Sequence, residues 1–114
     1  MIHVHIESDR EGRIVGFNIQ GHAGFAPHGK DIVCAAVSAV AQTAAIGLKK
    51  YFTHLVNVKQ YKGSLKLKVS GDIPRKERMI ADAILNTMCW GLKSLEEEYG
   101  EYVRVVNKEV RSND

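Results

Sequence analysis

The chain has only two cysteines in 114 residues, Cys34 and Cys89, and they form no Cys-x-x-Cys pair. That excludes a disulfide framework and the redox and zinc motifs built on closely paired thiols. Two prolines and no linker-like or low-complexity stretch predict one domain over residues 1–114, long enough to close a core without staples. No internal repeat is present. Met1-Ile2-His3-Val4-His5-Ile6 alternates like a strand and lacks the charged-then-apolar order of a signal peptide. The longest weakly polar run, Ile32 to Leu48, carries Ser38, Gln42, Thr43 and six alanines. It is too short and too mild to span a bilayer, so a core helix is expected. The expected setting is the cytoplasm, with reduced thiols and no membrane.

The formal net charge is +3, with a pI near 8.9. Basic residues gather at Lys59, Lys62, Lys66 and Lys68, then at Arg75-Lys76, and later at Arg104, Lys108 and Arg111. A solvated strand face and a helix start account for such a pattern. The competing reading is a surface that attracts an RNA-associated partner or an acidic substrate.

Hydrophobic periodicity orders the elements. Ile2, Val4 and Ile6 alternate with polar residues, and Ser8-Asp9-Arg10-Glu11-Gly12 has turn chemistry. Val15, Phe17 and Ile19 then complete a hairpin. Gly21, Gly24, Pro27 and Gly29 punctuate an irregular loop up to Lys30, expected to be mobile. Asp31 suits the N-cap of a helix from Ile32 to about Phe52. A second hairpin pairs Val56 and Val58 with Leu65, Leu67 and Val69 about the turn Lys62-Gly63-Ser64. Gly71-Asp72-Ile73-Pro74 starts a second helix, with Pro74 in its first turn. Its expected apolar stripe is Ile80, Ala83, Ile84, Thr87, Met88, Gly91, Leu92 and Leu95. Tyr102 to Val106 is a final strand. The order ββαββαβ predicts an α+β fold, a mainly antiparallel five-stranded sheet with two helices packed on one face.

Cys34 falls in the first turn of the first helix. There the positive pole of the peptide dipoles favours a thiolate, and backbone amides near Cys34 offer stabilisation to an oxyanion. His22 stands at the end of the second strand, one glycine-rich loop upstream, within folding reach of the sulfur. A thiol, an imidazole and a route for substrate make a nucleophile and its base; a small cysteine buried in an alanine-rich helix is the alternative. Asp31 either orients the imidazole or only caps the helix. Ser38, one turn beyond Cys34, either lines a substrate pocket near the thiolate or bonds back to its own helix. His28 is a weaker base, because no strand holds it. His3, His5, His22 and Cys34 together raise a metal reading, but alternating histidines on a strand face are ordinary polar residues and no metal is expected. Cys89, beside Trp90, has no local base and reads as packing. Trp90 and Tyr99 mark a buried face or a subunit contact. Gly24 and Gly29 are followed by no lysine-serine or lysine-threonine pair, which rejects a phosphate-binding loop.

Gly21-His22-Ala23-Gly24 followed by Gly29-Lys30-Asp31-Ile32-Val33-Cys34-Ala35-Ala36-Val37-Ser38-Ala39 resembles the bacterial Prp family of ribosomal-processing cysteine proteases. The similarity extends over the length, the element order and the Gly71-Asp72 helix start. The resemblance implies a single cysteine protease domain that removes the N-terminal extension of large ribosomal subunit protein twenty-seven during ribosome maturation. It implies Cys34 as nucleophile and His22 as general base and then acid, with Gly21, Asp31 and Ser38 supporting them or binding substrate. It further implies a homodimer, no cofactor, no metal, no direct need for nucleic acid, and a loop between histidine and cysteine that moves when the peptide enters. The alternative from another class is a non-catalytic ribosome-associated module that binds RNA or protein through the lysine-bearing hairpin, with Cys34 merely buried. A thiol acyltransferase would share the dyad, but no nucleotide-type loop accompanies it.

Overall fold

The computed structural model describes residues 1–27 and 30–110, so His28, Gly29 and Arg111 lie outside the described residues. Five strands and two helices follow in the expected order: β1 (Ile2–Ser8), β2 (Ile14–Gln20), α1 (Ile32–Tyr51), β3 (Val56–Tyr61), β4 (Ser64–Val69), α2 (Arg75–Glu98) and β5 (Val103–Glu109). The first hairpin turns on Asp9, whose Oδ1 accepts the amides of Glu11 and Arg13 at 2.9 and 3.0 Å. Its Oδ2 accepts Arg13 Nε at 3.0 Å. Burial pushes the Asp9 carboxyl up, but the Arg13 and Glu11 hydrogen bonds outweigh it and leave the group below its ordinary value.

The sheet order is β3-β4-β2-β1-β5. Three pairings are antiparallel and the fourth, β1 with β5, is parallel, with Ile2 opposite Val103. The sheet is therefore mixed. Alternation tells which face a side chain takes and nothing of strand direction; α2 crosses the sheet and returns the chain parallel to β1.

Val4 and Ile6 of β1, Phe17 of β2 and Leu67 of β4 are buried on the face that both helices cover. Onto them α1 lays Val33, Val37, Ala41, Ala44, Ala45 and Leu48. From α2 come Ala81, Leu85, Met88, Cys89 and Leu92. The α2 stripe thus differs from the expected one. Met88 and Leu92 are shared, and Ile84 and Leu95 pack half-buried against the core, but Ala81, Leu85 and Cys89 also face the sheet, while Ala83 and Thr87 are exposed and Ile80 is 38% exposed. Two apolar stripes run side by side on α2; the sheet takes one, and the other lies along an open groove beside α1. Pro74 sits just before the helix as its N-cap rather than within the first turn. Arg78 ties α2 to the sheet, donating to the Ile14 carbonyl at 2.8 Å and to Asp82 at 3.0 Å. At the other end the Val105 amide donates to Glu96 Oε2 at 2.7 Å. Among the described residues, the opposite face of the sheet carries no helix.

Candidate functional site

The site forms where β2 ends and α1 begins. Gly21 follows β2 in a left-handed conformation (φ +97°), with its amide donating to the Gly63 carbonyl at 3.0 Å. A Cβ at Gly21 would stand 2.5 Å from the Met1 carbonyl oxygen, so both torsion and space demand glycine. His22 comes next, with its ring over the tip of the β3–β4 hairpin. A Cβ on Gly63 would lie 3.2 Å from His22 Nε2, and Gly63 too is left-handed (φ +74°). The imidazole therefore rests on a glycine that belongs to a distant hairpin.

One residue further, the Ala23 amide donates to Cys34 Sγ at 3.1 Å. This joins the strand end directly to the third residue of α1. Asp31 caps that helix: Oδ1 accepts the Cys34 amide at 2.9 Å and Oδ2 accepts the Phe25 amide at 3.1 Å. The Cys34 amide bond holds the Asp31 carboxyl below its ordinary value; partial burial opposes it, and bonds from Phe25, Ala26 and the Cys34 side chain reinforce it. One carboxylate thus fastens the start of the loop to the start of the helix. The Phe25 ring meets Tyr102 and Tyr99 edge-on, with centroids 5.3 and 6.2 Å apart, which anchors the loop on the far side. Among the described residues no hydrogen bond joins His22 to Cys34 or to Asp31.

His22, Cys34 and Ser38 line two adjoining cavities. One, of about 180 Å³, lies between α1 and the β3–β4 hairpin and is bordered by Gln60, Tyr61 and Leu65. The other, of about 510 Å³, is bordered by Gly24, Ala26, Asp31 and Lys62. A cleft with the sulfur at its middle and an imidazole on its wall can admit an extended chain on both sides of the thiol. Ser38 Oγ accepts Gln42 Nε2 at 2.6 Å, so it lines the cleft while bonded within its own helix.

The expectation that amides around Cys34 serve an oxyanion needs correction. The Cys34 amide is taken by Asp31 Oδ1 and the Ala35 amide by the Asp31 carbonyl. Among the described residues, the first-turn donors not committed at this helix start are those of Ile32 and Val33. His28 lies outside the described residues. His3 and His5 stand on the sheet face opposite the helices, with rings stacked 6.5 Å apart, and do not join Cys34. Cys89 is buried among the α2 core residues; burial pushes its thiol up, with Lys93 opposing weakly.

Sequence reasoning did not find the Ala23 amide or the hairpin wall from Gln60 to Leu65. The first is a backbone group with no residue signature. The second reaches the site only because β4 inserts next to β2, a pairing between strands separated by a whole helix.

A model of the family described as cysteine protease Prp matches residues 1–104. The ribosomal processing cysteine protease Prp of Bacillus subtilis is 30% identical over 107 residues, covering 92% of this chain and 96% of that protein. The protein of the same name from Staphylococcus aureus is 36% identical over 108 residues, covering 92% of this chain and 97% of its own length. A crystal structure of the S. aureus ribosomal processing protease Prp with a covalently linked product peptide superposes with a TM-score of 0.83. It is 29% identical and covers 95% of this chain and 100% of that one. Matched along nearly its whole length in both sequence and fold, with a thiol and an imidazole on one cleft, this chain belongs to the cysteine protease Prp family.

Proposed function

We propose that this protein is a site-specific endopeptidase that removes the N-terminal extension of large ribosomal subunit protein twenty-seven, with Cys34 as nucleophile and His22 as general base and then acid. The observation that carries the reading is the cleft that Cys34 and His22 share, in a fold whose S. aureus relative carries a covalently linked product peptide. The Ala23 amide bonded to Sγ holds the sulfur at the cleft, next to the residue that carries the imidazole.

His22 takes the thiol proton, and the sulfur adds to the scissile carbonyl carbon. The resulting oxyanion draws on the Ile32 and Val33 amides at the start of α1. The C–N bond then breaks as His22 returns the proton to the leaving amine, which departs as the mature protein. Water attacks the remaining thioester, and His22 accepts its proton. As the C–S bond breaks, the extension leaves as a carboxylic acid and His22 returns that proton to the sulfur, restoring the thiol. Asp31 holds the loop and helix start in register, and Gly21 lets β2 end where His22 meets the cleft. Ser38 borders the bound peptide.

The enzyme acts as a homodimer in the cytoplasm, where ribosomal proteins mature. An apolar groove of about 770 Å³ between α1 and α2, near Trp90 that is 67% exposed, supports a second copy on the helical face. Sedimentation velocity measures this: a dimer is expected for the wild type, and a monomer for it would refute the pairing.

The test of the proteolytic reading is intact-mass analysis of the extended ribosomal protein after incubation with wild-type enzyme, Cys34→Ala or His22→Ala. Cleavage at one bond by the wild type alone is expected. Undiminished cleavage by either variant would remove the dyad.

A further inference from the structure

We infer that the uncovered face of the sheet is a binding surface for single-stranded RNA, separate from the peptide cleft and beyond the proteolytic reading. Register assigns the residues of that face. His3 and His5 of β1 lie across from Gln20 and Asn18 of β2. Lys66 and Lys68 of β4 stand beyond them, and Lys59 of β3 lies opposite Lys66. Arg104 and Lys108 of β5 close the other margin, opposite His3 and Glu7.

Among the described residues, five cations thus share one face with a single carboxylate, Glu7, which lies over Gly16 next to Lys68. That face is more positive than the whole chain, whose net charge is +3. The charges are not scattered evenly. Three stand on the β3–β4 side and two on β5, and the two central strands show the His3 and His5 rings and the exposed Gln20 amide instead, with Asn18 half-buried between them. His3 and His5 are exposed and stacked, with centroids 6.5 Å apart and planes 19° from parallel.

On a sheet, side chains of one face recur roughly every 6.6 Å along a strand, with strands about 4.8 Å apart. Such a grid offers basic margins to phosphates and a flat centre to bases. Unstacked bases pack on aromatic rings and bond to amide side chains, as on other open-faced sheets that read single-stranded RNA. An acidic peptide would engage the margins and leave the rings and amides of the centre without partners. The surface also adjoins the cleft: Tyr61, exposed on β3, borders the smaller cavity beside Cys34. RNA held on the sheet would keep a ribosome-bound protein substrate within reach.

Fluorescence anisotropy of the full chain with a labelled single-stranded RNA of about 20 nucleotides tests this across a salt series. The logarithm of the binding constant is expected to fall against log salt with a slope of about −3, as for four to five phosphate contacts. A Lys66→Glu/Arg104→Glu variant is expected to bind about tenfold more weakly, with the slope reduced by about 1.4, and to cleave substrate peptide like the wild type. A His3→Ala/His5→Ala variant is expected to lose at least about fivefold in affinity with an unchanged slope. Cys34→Ala is expected to bind RNA normally, which separates this surface from the proteolytic reading. Salt-independent or absent RNA binding, variants that bind like the wild type, or equal competition by poly-glutamate would overturn the proposal, the last in favour of an acidic protein.

Discussion

The backbone amide of Ala23 donates to the sulfur of Cys34 at 3.1 Å, joining two residues eleven apart in sequence. The contact fixes the end of β2 against the start of α1, so His22, one residue before Ala23, inherits its position from the same bond. The cleft is held by backbone more than by side chains. Around it stand Gly21 against Met1, His22 over Gly63, and Asp31 between the Phe25 and Cys34 amides.

Gly63→Ala is therefore expected to lower peptide hydrolysis while leaving Cys34 reactive. The added methyl would meet His22 Nε2 at 3.2 Å, and the left-handed backbone adds about 1–2 kcal/mol of strain. Steady-state kinetics together with iodoacetamide labelling check it; a fall in both would implicate the whole cleft rather than the imidazole.

Asp31 sets an acid limit on the stability of the site. Its carboxyl is held below its ordinary value chiefly by the Cys34 amide. The folded state thus binds fewer protons than the unfolded state around and below the ordinary carboxylate range. The stabilisation is present above that range and is lost as pH falls through the depressed value. Urea midpoints are expected to drop from about pH 5 to about pH 3 less steeply for Asp31→Asn than for the wild type. Asp9, depressed in the same direction, accounts for a remaining slope in the variant. Parallel curves for the two proteins would contradict the cap.

The two thiols are expected to differ sharply in reactivity. Cys34 borders the cleft, whereas Cys89 is buried and its thiol is pushed up by that burial. Brief iodoacetamide treatment at neutral pH, followed by peptide mapping, should give one adduct at Cys34 and label Cys89 only after unfolding. Equal labelling of both would count against the buried position of Cys89.

Leu85→Ala and Ile80→Ala separate the two stripes of α2. Leu85 is fully buried against the sheet and its truncation is expected to cost about 2–5 kcal/mol. Ile80, partly exposed, is expected to cost less than about 1 kcal/mol. Denaturant titration of each decides it, and a reversed order would restore the stripe read from periodicity.

Much of this architecture was legible in the sequence. Strict alternation in β1, the Asp31 cap and the alanine-rich run of α1 each determine a local conformation, and the structure has all three. His22, Asp31, Cys34 and Ser38 could be singled out because their spacing spans a strand end and a helix start, and Gly21 through the family motif it opens. What escaped depends on contacts far apart in the chain. The parallel β1–β5 pair, the β4 insertion beside β2 and the Gly63 seat under His22 are set by how α1 and α2 cross the sheet. The α2 stripe was read only in part, with Met88, Leu92, Ile84 and Leu95 on or against the core, because that helix is apolar on two neighbouring flanks and periodicity alone does not choose between them.

The claim at the centre is that the Cys34 sulfur carries the acyl group during peptide cleavage. Acid quenching within the first turnover, then digestion and mass spectrometry, measures it. The Cys34 peptide is expected to gain the mass of the N-terminal extension less one water, as a thioester that decays with product formation. Cleavage that proceeds while Cys34 stays unmodified at every time point would contradict it.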